Sequence, residues 1–196
     1  VLFESNFPLL QFKPFEKPHM IRIDKKSASL ILLSIFSIGM LVTRILFTGQ
    51  ITFLFLLWNL FLAYIPFGIS TLMKLKERDI EPFQFWLIFP FWILFFPNAP
   101  YILTDLFHLM PRGNTPEWFD LFLLLSFSIT GLLLGLFSLK HMHRFVIRFH
   151  SNGTGLLFVF CTLTLGSFGV YLGRFERFNS WDIIRSPLEL FHDIGS

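Results

Sequence analysis

Asp105 and His108 stand three residues apart in the segment FFPNAPYILTDLFH, residues 95–108. On a helix that spacing puts a carboxylate and an imidazole on one face. Such a pair can exchange protons as acid and base. It can also give two ligands to zinc or another transition metal. Two ligands do not complete a metal site, and Asp120 is the nearest further carboxylate that could join them. The plainer alternative is that Thr104 or Asp105 caps a turn at the water boundary. Both readings stay open, and the residues name neither a metal nor a cofactor.

A second cluster, GVYLGRFERFNSWD, covers residues 169–182. Arg174 and Arg177 are again three apart, and Asn179 and Asp182 follow. Guanidinium groups hold phosphate or carboxylate in two-pronged contacts, which suits a lipid phosphate or an anionic solute. The alternative is an interfacial anchor of Arg, Phe and Trp. Arg44 ends an apolar run. It either reaches to the interface along its own stem or pairs with Asp105 or Asp120. Asn98 lies between Pro97 and Pro100, where its amide can satisfy a backbone group freed by a kink or touch substrate. Asn59 sits inside an apolar run and needs a partner for its amide, most simply on another helix. The candidate catalytic set is therefore Asp105, His108 and Asp120. The candidate substrate-binding set is Arg44, Asn98, Arg174, Arg177, Asn179 and Asp182.

The elements that must position these residues are transmembrane helices. Of 196 residues, 54% are hydrophobic and 15% charged, with 29 Phe against 3 Tyr, and the mean hydropathy is +0.63. Soluble domains carry about 25% charged residues, and apolar stretches of roughly 18 or more residues read as spans. Five are predicted: 27–47, 51–73, 83–103, 118–139 and 154–173. The third contains Pro90, Pro97 and Pro100, which predicts a bend or break near its end. Irregular backbone at that depth needs protein or water around it. The fold class is an all-α, polytopic bundle. A basic arm (1–26) precedes a five-span domain (27–173), and a polar tail (174–196) follows. Short amphipathic pieces are expected around 7–15 and 186–194. The sequence opens on Val.

Lys and Arg alternate between the connections. There are five in the arm, none in the first turn, three in 74–82, one in 104–117 and three in 140–153. By the positive-inside rule this predicts a cytoplasmic N-terminus, with Arg44, Asp105, Asp120 and Arg174 at the outer boundary. The loop 140–153 reads as a solvated topology signal carrying His141, His143 and His150. Gly131 and Gly135 form a small-xxx-small step for close helix packing. Cys161, the single cysteine, reads as a buried small hydrophobe. The net charge of +3 is dispersed, which argues against nucleic acid as a partner.

Four stretches carry a resemblance: LFLLWNLFLAYIPF at 54–67, WILFFPNAPYILTDLFHL at 92–109, the Trp118/Asp120 pair, and 169–182. In them the chain resembles the uncharacterised bacterial membrane proteins called domain of unknown function 1361. The resemblance implies a multi-pass inner-membrane protein, implies no activity, and suggests a sixth span after residue 185. No Walker loop, dinucleotide fingerprint, HExxH helix or GxSxG elbow is present. Three functions remain: an enzyme on a lipid or lipid-linked substrate at the outer face, a small transporter, or an assembly subunit. Membrane lipids are expected partners, together with a membrane protein or further copies of the chain.

Overall fold

A computed structural model describes residues 25–109 and 115–175, with Lys26 by its backbone alone. The expected amphipathic pieces at 7–15 and 186–194 lie outside the described residues, as do Arg177, Asn179 and Asp182. The order is α1 (Lys25–Thr48), α2 (Phe55–Leu75), α3 (Pro82–Phe95), α4 (Asn98–Tyr101), a 3-10 turn (Ile102–His108), α5 (Glu117–Phe149) and α6 (Asn152–Phe175). Five of the described helical stretches are long and apolar enough to cross a membrane, counting Pro82–His108 as one.

Local chemistry sets the boundaries. Gly49 adopts φ 66° and its N–H bonds the Ile45 carbonyl at 2.8 Å, a left-handed stop that glycine accepts without strain. Pro82 opens α3, where a missing N–H costs nothing, and the Glu81 N–H donates to Gln84 Oε1 at 3.1 Å. The third span breaks where its prolines predict. Pro97 and Pro100 can donate no backbone bond, and the Ala99 N–H turns to the Phe96 carbonyl. The Phe95 carbonyl so released accepts from the Asn98 side chain at 3.0 Å.

Helix α5 is the hub. It packs on α1, α2, α4, the 3-10 turn and α6. Its glycines let the broken span come close. A Cβ on Gly131 would stand 2.7 Å from Ile102 Cδ1 and 3.0 Å from the Ala99 carbonyl oxygen, and one on Gly135 would stand 3.0 Å from Ala99 Cβ. The small-xxx-small step is thus a seat for α4 and the turn after it.

The structure corrects the expected 140–153 loop. α5 runs 33 residues, about 50 Å at 1.5 Å per residue, well beyond a hydrocarbon core of about 30 Å. Met142, Phe145 and Val146 recur at helical spacing and are buried with Phe85, Trp92 and Phe158. His141 is buried too, its Nδ1 3.4 Å from Ser70 Oγ and its ring near Phe67. Basic side chains masked this continuation: Arg148 points outward and donates to the Glu77 carbonyl. Cys161 is a second correction, since it lies on the exposed face of α6 rather than inside the bundle.

Candidate functional site

The hydrogen bonds of the broken third span bring Asp105 and His108 together. In a 3-10 turn, residues three apart nearly eclipse one another, so the two side chains project to the same side. Asp105 Oδ1 lies 4.0 Å from His108 Nδ1. Asp105 is buried, while the His108 side chain is 38% exposed, so one group anchors the pair and the other meets solvent. Asn59, inside α2, donates its amide to Asp105 Oδ2 at 2.7 Å. That is the interhelical partner its position in an apolar helix demands. One turn earlier on α2, Phe55 packs its ring 5.2 Å from the His108 ring.

Helix α6 brings the cation. The Arg174 guanidinium carbon sits 5.5 Å from the centre of the Phe107 ring, a cation–π distance. Arg174 makes no ion pair among the described residues. Asp105, His108, Arg174, Asn59, Phe55, Tyr101 and Gly173 together line one open, mostly polar recess of about 540 Å³ at one end of the bundle. No group of three or more His, Cys, Asp or Glu side chains gathers as a metal site among the described residues.

Three other candidates stand apart from the recess. Arg44 and Asp120 take each other. Nε donates to Oδ1 at 2.7 Å and Nη2 to Oδ2 at 3.1 Å, with the side chains 0% and 3% exposed. Of the two fates read for Arg44, pairing with Asp120 is the one realised. The guanidinium also lies 4.5 Å above the Phe53 ring. Phe53 touches Phe55, so the pair adjoins the recess through two rings without lining it. Asn98 is engaged with the Phe95 carbonyl. Sequence reasoning missed Phe55, Tyr101 and Phe107. Phe55 and Tyr101 each stand four residues before a polar site residue, Asn59 and Asp105, and that spacing was the available signal.

Five apolar spans with α5 as their hub, and acid, imidazole and guanidinium gathered at one end, define a multi-pass helical membrane protein with a polar recess. The chain belongs to the family described as Protein of unknown function (DUF1361), which it matches over residues 58–196. That range holds every recess residue except Phe55, and Asp120 but not its partner Arg44. No curated protein and no solved structure matches the chain.

Proposed function

We propose that the protein is a membrane-embedded enzyme acting on a lipid or lipid-linked substrate with an anionic headgroup. The observation that carries this reading is the convergence of Asp105, His108 and Arg174 in one recess, from elements more than sixty residues apart in sequence. Arg174 binds the anion. His108, the exposed member of the pair, moves a proton to or from the headgroup. Asp105, fixed by Asn59, favours the imidazolium that forms. The 4.0 Å separation suits a site that tightens when substrate enters, as catalytic hydrogen bonds commonly do. The basic connections support a cytoplasmic N-terminus in the inner membrane, with the recess at its outer face.

Transport is less well supported. Five hydroxyls deep in the bundle are bonded to backbone carbonyls: Ser34 to Leu30, Ser37 to Leu33, Thr130 to Ser126, Ser128 to Ile102 and Ser138 to Pro66. Groups so engaged do not readily line a water path.

The test is turnover. The purified chain in nanodiscs is incubated with a panel of anionic lipids, and headgroup products are followed by mass spectrometry and phosphorus NMR. The expected result is conversion of one lipid class that His108→Gln and Asp105→Asn abolish and that Arg174→Gln weakens mainly through KM. Unchanged conversion in His108→Gln, or no conversion of any lipid, removes the enzyme reading and leaves an assembly role.

A further inference from the structure

Beside the recess runs an apolar cleft of about 280 Å³. One wall is the α6 stripe Leu163, Gly166, Ser167 and Val170. Leu132, Gly135 and Leu136 of α5 form the opposite wall, and Phe96, Pro100 and Leu103 of the broken span close it. The α6 residues recur every three or four positions, so they share one helix face. The next members of that stripe are Gly173 and Arg174, which line the recess. One helix face therefore floors the apolar cleft and then the polar site. From Leu163 to Arg174 it rises about 17 Å at 1.5 Å per residue.

Two of the lining glycines sit close against the broken span. A Cβ on Gly166 would stand 3.0 Å from Phe96 Cε1, and Gly135 meets Ala99 in the same way. The flanking Leu163, Leu136 and Leu103 are exposed and rise as the sides. Inside a bilayer such a cleft gains no hydrophobic driving force, because lipid tails are as apolar as leucine. It holds a chain by shape, and selectivity must come from the charge at its end.

We infer that recess and cleft are two halves of one site for a phospholipid whose phosphate headgroup carries net negative charge, with the headgroup at Arg174 and one acyl chain lying along the α6 stripe. This rests on the anionic-headgroup part of the reading above. It adds that the occupant is a membrane lipid held by its chain, not a free phosphate.

The full chain is placed in phosphatidylcholine nanodiscs doped with phosphatidic acid carrying a diazirine midway along one acyl chain. Photolysis adducts are mapped by mass spectrometry. The expected adducts fall on 163–170 and on Leu132 and Leu136, about tenfold above those from phosphatidylcholine carrying the same diazirine, the effect of one charge-assisted contact. Arg174→Gln removes that excess. Ser167→Phe, at an exposed position where folding is undisturbed, fills the cleft and cuts adducts there, and Leu136→Trp does so from the other wall. His108→Gln leaves the adduct pattern intact, so loss of turnover and loss of lipid binding are read separately. Adducts spread evenly over the outer faces of α1 and α6 with either headgroup overturn the inference. So does an excess that survives Arg174→Gln, or complete displacement of the adducts by inorganic phosphate.

Discussion

Asp120→Asn tests whether the Arg44–Asp120 pair holds the bundle together. The substitution keeps shape and one acceptor but leaves Arg44 charged in a place where the side chains are 0% and 3% exposed. Arg44 Nη1 already has no partner among the described residues, so no spare acceptor stands ready. Removing one member of a buried pair costs about 3–5 kcal/mol, or two to four orders of magnitude in the folding equilibrium. The pair ties the end of α1 to the start of α5, so α1 is the element released. The assay is unfolding in mild detergent, followed by helical circular dichroism and by proteolysis in the turn after α1. Arg44→Met should lose as much as Asp120→Asn. The double variant Arg44→Met/Asp120→Leu should recover most of the loss, because apolar replacement of a whole buried pair is often neutral or better. Single-variant losses below about 1 kcal/mol would put the pair in the range of solvent-exposed ion pairs and refute the burial argument.

Four further outcomes follow from the packing. Gly131→Val should destabilise by about 1–3 kcal/mol through overpacking, since its Cβ would fall 2.7 Å from Ile102 and 3.0 Å from a backbone oxygen; thermal unfolding reads it. Ser138→Ala leaves the buried Trp92 indole N–H, now 2.7 Å from Ser138 Oγ, without its acceptor, costing about 1–3 kcal/mol and shifting tryptophan fluorescence. Asn59→Leu should cost only about 0.6–1.7 kcal/mol of stability while lowering turnover far more, because it releases Asp105; kcat against unfolding midpoint separates the two. Cys161→Ala, on an exposed helix face, should be neutral and provides a background for cysteines placed at the exposed Gln50 and Arg78. Membrane-impermeant labelling from outside is expected at 50 and not at 78, and the reverse pattern inverts the proposed orientation.

The sequence was most legible where one physical rule acted alone. Uninterrupted apolar runs marked the five spans, and two prolines marked the break after Phe95. An Asp and a His three apart shared a face, and did so more closely than expected because the turn is 3-10. It was least legible where two rules competed. Lys140, Arg144 and Arg148 signalled a loop by charge, yet Met142, Phe145 and Val146 carried the helical period onward, and burial against the α3 aromatics decided for helix. Cys161 misled for the mirror reason: in a bilayer the outer face of a helix is as apolar as its inner face, so composition cannot tell which way a small thiol points. Partner choice was beyond reach. Arg44 had two carboxylates to choose between, and only the three-dimensional register of α1 against α5 selects Asp120, leaving Asp105 to Asn59.

That division of carboxylates bears on function. An ionised group at a bundle end is held either by an opposite charge, which fixes and neutralises it, or by a neutral donor, which fixes it and leaves its charge for something else. Asp120 has the first arrangement and Asp105 the second. The proline break is what separates them. It ends α3 early, turns the chain into a 3-10 segment that stacks His108 over Asp105, and seats that segment on glycines of α5. The same break leaves the lateral opening along α6 that becomes the apolar cleft. A continuous third helix would have spread Asp105 and His108 further round its axis and closed the cleft. Restoring it with Pro97→Ala and Pro100→Ala should therefore keep or raise helicity while lowering both turnover and chain crosslinking. Retention of both by that double variant would show that the break is incidental to the site.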